Sequence, residues 1–123
     1  KEISYAHAHG YAAGEMKHGP IALVDDQQVV ICIALRSSKT YEKMMSNIQE
    51  VRARQGVVIA IGTEGDEQLG KLAADVFRVP DTLEIFSPIL AAIPLQLFAY
   101  QIARLNGREV DQPRNLAKSV TVE

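Results

Sequence analysis

The chain has 123 residues, of which 47% are hydrophobic and 23% are charged, and its formal net charge is −2. This length supports one domain with its own hydrophobic core, which excludes small folds that depend on disulfides or a structural zinc. The slight negative charge offers no general attraction for nucleic acid or for an anionic membrane surface. The hydrophobic content excludes an intrinsically disordered chain.

The first thirteen residues carry two short predicted elements. Residues 1–5 are predicted to be the last turns of a helix, and residues 7–13 a short extended piece. Because the helix begins with neither an initiator Met nor a capping residue, the sequence is expected to be a piece of a longer protein.

Residues 15–19 are predicted to form a loop rich in ionisable groups. They are followed by Pro20, which fits the first position of a short helix that continues to Val24. Within the loop, His18 lies beside a Gly-Pro turn, where few side chains are expected to cover it. It is therefore a candidate acid or base, the alternative being an ordinary surface histidine.

Two continuous apolar runs, at residues 29–35 and 57–61, predict parallel strands covered on both faces, the first of them a central strand. The segment between them has apolar residues at helical spacing and predicts an amphipathic helix of about four turns. Gly56 fits the left-handed position that ends this helix. The strand–helix–strand unit should have a right-handed crossover, and it predicts a doubly wound α/β sheet.

Two further elements are predicted after the second run. Residues 66–74 should form a short helix, and residues 76–79, which precede Pro80, an outer strand. The loop at residues 62–65 follows a strand end, where open α/β sheets bind ligands. Its Glu64 would repel a phosphate, so we expect only a turn there.

The last predicted helix begins with Ser87 as its N-cap and Pro88 at its first position, and it ends at Gly107. It is apolar nearly all round and therefore requires a partner surface. Pro94 removes one of its backbone hydrogen bonds. We expect its apolar stretch to be too short to span a bilayer, and because no signal peptide opens the sequence we predict a soluble, reducing compartment.

Side chains that commonly carry chemistry are few. Cys32 lies inside an apolar run with no activating group beside it, so it is predicted to be a core residue and not a nucleophile. His7 and His9 are two residues apart, but nothing nearby completes a zinc shell, so no metal site is predicted. The sequence contains neither a dinucleotide-binding fingerprint nor a P-loop, and no cofactor is expected.

The ending of the chain, at residues 111–119, contains hydrogen-bonding and conformationally restricted residues but little to bury. Lys118, held under such a tail, can act as an amine nucleophile toward a carbonyl sugar, or it can be an ordinary surface lysine. From spacing alone, Glu2 is a solvated helix carboxylate.

Three segments make the sequence recognisable: KEISY at residues 1–5, YAAGEMKHGP at residues 11–20 and DQPRNLAKSVTVE at residues 111–123. Together they resemble the carboxyl end of the glucosamine-6-phosphate synthases, the isomerising glutamine–fructose-6-phosphate aminotransferases. The resemblance covers the whole chain, and the tail motif is its most specific part.

The resemblance implies a three-layer αβα fold of the sugar isomerase (SIS) type, flavodoxin-like, with a parallel sheet that is incomplete at the amino end. Residues 1–107 would be the second SIS subdomain, lacking its first strand. Residues 108–123 would be a tail that closes over the sugar site.

The resemblance also implies roles for four residues. Glu2 would move a proton between C1 and C2 of the sugar, and His18 would help to open the sugar ring and reach into the neighbouring subunit's active site. Lys118 would form a Schiff base with the open-chain ketose, while Ala117 belongs to the part of the tail that contacts the sugar.

The family's implied partners are a sugar phosphate, the rest of a longer chain and a second copy in a cytoplasmic homodimer. The phosphate-binding loops and the glutaminase cysteine of the family lie outside this sequence, so the isolated chain is expected to be inactive. His9 and Gly10 depart from the family pattern, which usually has Glu and Ala at these positions. Two alternatives remain open: a sugar-phosphate-binding regulatory module without catalysis, and an isomerase or deaminase of a related amino-sugar phosphate.

Overall fold

The computed structural model describes residues 1–114 of the chain. These residues belong to two compact units, and each is described by itself. One unit spans Tyr11–Ala92, and the other combines Lys1–Gly10 with the chain from Ile93 onward. The predicted roles of Ala117 and Lys118 lie outside the described residues.

The unit that spans Tyr11–Ala92 is built on a parallel sheet of three strands. These are β1 (Val29–Ala34), β2 (Val57–Thr63) and β3 (Asp75–Val79), in the order β1-β2-β3. Helix α1 (Tyr41–Ala53) connects β1 to β2, and helix α2 (Glu67–Leu72) connects β2 to β3. The predicted α/β class with a parallel sheet is confirmed.

The order of the strands corrects one prediction. Within the described residues β2 is the central strand and β1 lies at the edge of the sheet, so the prediction that β1 is central is wrong. Val29 and Ile33 of β1 are 54% and 42% exposed, which shows that one face of this strand is not covered. A continuous apolar run signals that both faces are apolar, but it does not reveal what covers them.

The core lies on the other face of the sheet, where α1 and α2 pack. Successive side chains of a strand point to opposite faces, so Val58 and Ala60 of β2 meet the helices on this side. The buried hydrophobic cluster comprises Met16, Cys32, Ala34, Met45, Ile48, Val51, Val58, Ala60 and Leu69. It fixes α1 and α2 against β1 and β2.

The end of α1 differs from its prediction at Gly56. The residue with a left-handed backbone is Gln55, whose φ is 68°, and not Gly56. A Cβ atom on Gly56 would lie 2.6 Å from Cγ1 of Val24 and 2.8 Å from Cγ1 of Val51. This position therefore needs glycine because neighbouring side chains leave no room for a side chain.

The segment that precedes β1 contains two 3-10 helices, Ala13–His18 and Pro20–Leu23. The second confirms the short helix predicted to begin at Pro20. The first replaces the predicted loop at residues 15–19, because Met16 is buried in the core and holds the segment in a defined conformation. Residues 7–12 form no regular element, so the short extended piece predicted there is not a strand of the sheet.

Helix α3 spans Ser87–Leu105 and follows the 3-10 helix Glu84–Phe86 without a break. Ser87 already has helical angles, and its hydroxyl donates to the carbonyl of Glu84 at 2.7 Å, so the prediction that Ser87 is the N-cap is wrong. The predicted end is confirmed by Gly107, whose φ is 61°.

The continuous helical segment Glu84–Leu105 has 22 residues, is strongly apolar and is mostly exposed. By length and composition this segment can cross a membrane, so the prediction that it is too short is wrong. Core helices of soluble proteins have the same length and composition, so these two properties alone do not distinguish a membrane span from a core helix. Its exposed apolar side chains agree with the prediction that this helix requires a partner surface.

Candidate active site

His18 is the last residue of the 3-10 helix Ala13–His18, and two contacts fix this helix on the core. Met16 is 3% exposed and belongs to the buried cluster, and Nζ of Lys17 lies 2.8 Å from Oε1 of Glu50 on α1. Gly19 follows with a φ of 135°, which favours glycine, and the chain turns into the next 3-10 helix. The contacts of Met16 and Lys17 before His18 and the turn at Gly19 after it therefore fix the backbone at His18.

The imidazole of His18 is paired with a carboxylate. Nδ1 of His18 lies 2.8 Å from Oε2 of Glu15, and both side chains are mostly exposed. When Nδ1 carries the proton it donates to Glu15, and Nε2 is left to exchange a proton with another molecule. A histidine oriented in this way is suited to acid–base chemistry.

Sequence reasoning identified Glu15 as a neighbouring ionisable group but did not predict this pairing. Glu15 and His18 are three residues apart, a spacing that brings side chains together on one side of a helix. A loop, which was the prediction for residues 15–19, does not bring residues at this spacing together.

Glu2 belongs to the other unit, where it lies on a hydrogen-bonded turn. The amide of Tyr5 donates to the carbonyl of Lys1 at 2.8 Å, which closes one helical turn, and Tyr5 has a φ of 56° and ends it. This is consistent with the predicted last turn of a helix. The side chain of Glu2 is exposed, whereas Ser4 is buried and its hydroxyl accepts from the amide of Ala6 at 3.4 Å.

The same turn contacts the beginning of the carboxyl-terminal tail. The amide of Arg114 donates to the hydroxyl of Tyr5 at 2.9 Å, and its guanidinium lies 4.3 Å from the centre of the Tyr5 ring. Arg108 lies 5.1 Å from that centre. Within its unit, the structure therefore brings the Glu2 turn together with the residues that lead toward Ala117 and Lys118.

A shallow pocket of about 370 Å³ lies at the carboxyl ends of the strands in the other unit. It is lined by Arg36, Ser37, Thr63, Glu64, Asp81 and Thr82. Two of these residues are carboxylates, which disfavour a phosphate in this pocket. Beside it, Gly65 has a φ of 76° and Asp66 caps α2, so the turn predicted after β2 is confirmed.

Two further sequence interpretations concern thiol and metal chemistry. Cys32 is buried among apolar side chains, and this burial raises the pKa of its thiol to about 11, which confirms a core residue and not a nucleophile. Among residues 1–114, the structure brings together no group of three His, Cys, Asp or Glu side chains that can hold a metal ion.

Comparison with known proteins gives consistent matches over this chain. A family model described as the SIS domain matches residues 1–105. The glutamine–fructose-6-phosphate aminotransferase [isomerizing] of Thermus thermophilus is 63% identical over all 123 residues, which make up 20% of that relative. A protein of the same name from Sphingobium yanoikuyae is 54% identical over 124 aligned residues, with all of this chain and 79% of the relative covered.

Among solved structures, the C-terminal domain of glucosamine-fructose-6-phosphate aminotransferase from Francisella tularensis matches with a TM-score of 0.83 and 35% identity. The match covers 89% of this chain and 31% of that chain. The present chain thus spans about one fifth of the length of several curated relatives, including the one from Thermus thermophilus.

Proposed function

Because the chain belongs to the SIS-domain family and is homologous to the isomerising glutamine–fructose-6-phosphate aminotransferases, we propose that it is part of the active site of such an enzyme. The observation that carries this proposal is the identity of 63% over the whole chain with a relative of that name. The reaction converts fructose 6-phosphate and ammonia derived from glutamine to glucosamine 6-phosphate.

The proposed chemistry begins with ring opening, in which His18 exchanges a proton with the sugar. The exposed pair of His18 and Glu15 supports this role, because a fixed ring with one available nitrogen can transfer a proton. The amine of Lys118 then attacks the C2 carbonyl of the open ketose, and loss of water gives a Schiff base. Ammonia displaces the lysine amine from this carbon.

The last step moves a proton from C1 to C2, and we assign it to Glu2. A carboxylate can accept the C1 proton and return it to C2, so that the proton count is unchanged. The position of Glu2 on a short turn, three residues from the contact between Tyr5 and Arg114, supports this assignment. Ala117, next to Lys118 in the sequence, belongs to the part of the tail that contacts the sugar.

The partners and the compartment follow from the same proposal. The chain would work with the rest of a longer polypeptide, which supplies a first SIS subdomain and a glutaminase domain. It would also work within a homodimer, in which His18 serves the neighbouring subunit. The domain division proposed is a SIS subdomain at residues 1–107 and a tail at residues 108–123, in a cytoplasmic enzyme.

The proposal is tested by trapping the Schiff base in the full-length protein that contains this sequence. The protein is incubated with fructose 6-phosphate and borohydride, and the modified lysine is identified by peptide mass spectrometry. We expect the adduct at Lys118 and its loss in Lys118→Arg, which keeps the charge but cannot form the imine.

Lys71→Arg on α2 is the matched control, because it makes the same change at an exposed lysine. It should leave the adduct at Lys118 unchanged. If fructose 6-phosphate binds but Lys118 is left unmodified, the proposal that the protein is an enzyme is contradicted. A regulatory module that binds sugar phosphates without catalysis would then be favoured. An adduct without glucosamine 6-phosphate among the products would favour an enzyme acting on a related amino sugar.

A further inference from the structure

Tyr5 makes three contacts with the beginning of the carboxyl-terminal tail. Its ring lies 4.3 Å from the guanidinium of Arg114 and 5.1 Å from that of Arg108, and its hydroxyl accepts the amide of Arg114 at 2.9 Å. The hydrogen bond joins residues 109 positions apart in the sequence. These contacts attach the beginning of the tail to the turn of Glu2.

We propose that Tyr5 is a positioning residue that fixes residues 108–114, the base of the tail, against the turn of Glu2, and that the rate at which Lys118 reacts with the sugar depends on this attachment. The catalytic part of this inference rests on the proposed function, whereas the attachment of the tail does not. Tyr5 itself would touch neither the sugar nor the reacting atoms.

The argument for Glu2 follows from the closed turn. Glu2 and Tyr5 are three residues apart within it, a spacing that places Cβ atoms about 5–6 Å apart in a helix. The left-handed angles of Tyr5 end the turn and set the direction of its ring and hydroxyl. A change in the position of the Tyr5 side chain is therefore expected to shift the backbone of the turn that contains Glu2.

The argument for Lys118 follows from the length of the chain. Lys118 is four positions beyond Arg114, so in any conformation its Cα lies within about 14 Å of the Arg114 Cα. If Arg114 is attached to Tyr5, this limit also restricts the distance of Lys118 from the Glu2 turn. Without the attachment, the segment that follows Arg108 would have a longer free length, and the cost of bringing its end to the turn would rise.

The aromatic ring and the hydroxyl contribute in different ways. The face of a tyrosine ring attracts a guanidinium, and two of them lie near this ring. The hydroxyl accepts a backbone amide, which fixes the main chain and not only a flexible side chain. Tyr5→Phe removes the second contribution and keeps the first, whereas Tyr5→Leu removes both.

The test uses the full-length protein with two independent measurements. Hydrogen exchange at the amide of Arg114 reports the attachment directly, and the rate of borohydride trapping at Lys118 reports how the reaction of its amine depends on that attachment. We expect Tyr5→Phe to accelerate exchange at Arg114 and to slow trapping by about threefold to tenfold, the range expected for one hydrogen bond. Tyr5→Leu should slow trapping further.

The kinetic constants separate positioning from general destabilisation. Tyr5→Phe should lower kcat by a larger factor than it raises KM for fructose 6-phosphate, since the reaction requires the lysine amine whereas the tail supplies only part of the contacts with the sugar. Tyr100→Leu is the matched control, because it removes a tyrosine ring that lies 5.7 Å from the guanidinium of Arg104, an arginine of α3 and not of the tail. It should leave trapping and Arg114 exchange unchanged.

Two results would overturn the inference: unchanged exchange at Arg114 in Tyr5→Phe, or faster exchange with trapping at the wild-type rate. If the wild-type protein gives no adduct at Lys118, the proposed function fails and the catalytic part of the inference fails with it. The exchange of Arg114 then still decides whether Tyr5 attaches the tail.

Discussion

The hydroxyl of Tyr41 on α1 donates to Oδ2 of Asp66 at 2.7 Å, and this bond connects the two helices that cover the sheet. Asp66 is 2% exposed and also caps α2 through Oδ1, which accepts the amide of Leu69 at 3.0 Å. Its backbone carbonyl accepts from Arg78 of β3 at 3.2 Å. One buried residue therefore joins α1, α2 and β3.

Tyr41→Phe should lower the free energy of unfolding by about 1–3 kcal/mol, because it leaves one oxygen of a buried carboxylate without its donor. Equilibrium urea unfolding followed by circular dichroism measures the change. Tyr100→Phe is the control, since Tyr100 is 41% exposed, and it should change stability by less than about 0.5 kcal/mol. An equal effect of the two substitutions would show that the bond to Asp66 does not stabilise the fold.

The free energy of unfolding should decrease at alkaline pH because the Cys32 thiol and the Tyr41 hydroxyl ionise. Burial raises the pKa of the Cys32 thiol to about 11, and burial followed by the hydrogen bond to Asp66 raises the pKa of Tyr41 to about 12. Both groups bind their proton more tightly in the folded state, so the unfolded chain ionises first and stability falls as the pH rises above about 9. Unfolding in urea at increasing pH checks this.

Two substitutions separate the contributions to this alkaline loss. Cys32→Ala should remove the part that begins near the ordinary pKa of a thiol, and Tyr41→Phe the part that begins about one unit higher. A free energy of unfolding that stays constant from neutral pH to about pH 11 would contradict the prediction.

Two glycines should respond to alanine in opposite directions. Gly56→Ala should destabilise the chain by about 1–3 kcal/mol, because its Cβ would collide with Val24 and Val51. Gly70 is the matched control inside α2, where a Cβ would find Arg78 at an ordinary 3.5 Å. Gly70→Ala should stabilise by about 0.5–1 kcal/mol, because alanine favours a helix. Urea unfolding of both variants should give changes of opposite sign.

The glycines also illustrate what the sequence can reveal. The β-branched runs and the helical spacing between them predicted β1, α1 and β2 because these patterns follow from local geometry. The role of Gly56 depends on Val24, which is distant in the sequence, and the edge position of β1 depends on what covers Val29 and Ile33. Neither is encoded in the local pattern.

For the candidate site too, the sequence revealed some features and the structure was needed for others. His18 was identified because it lies in a polar segment beside a Gly-Pro turn, and Glu2 and Lys118 were assigned roles through the family motif. The contact of Tyr5 with Arg114 spans nearly the whole chain, so no spacing rule could have found it. The pairing of Glu15 with His18 follows from their spacing of three residues, but only if a helix is predicted there, and the sequence predicted a loop.

On the proposed function, Glu15→Gln should reduce the turnover of the full-length protein by removing the carboxylate paired with His18. A loss of about threefold to tenfold in kcat is expected, against about 10²-fold or more for His18→Asn, which removes the proposed acid–base group itself. Steady-state formation of glucosamine 6-phosphate measures both. Glu67→Gln, at an exposed glutamate of α2, is the control and should leave kcat unchanged. Equal losses for Glu15→Gln and Glu67→Gln would exclude an orienting role.

Helix α3 presents an apolar stripe that should make the isolated chain associate with itself. Ile89, Ile93, Leu97 and Tyr100 lie at intervals of four, four and three residues and are between 41% and 65% exposed. Such spacing places them on one face of the helix, and an exposed apolar face of this size favours association in water.

Sedimentation velocity at increasing concentration should therefore detect species larger than a monomer. Leu97→Glu should shift the distribution toward the monomer, because association would bury its charge. Gln49→Glu adds the same charge at an exposed position of α1, outside this helix, and should have a smaller effect. A wild-type chain that remains monomeric at every concentration would show that the stripe does not drive association by itself.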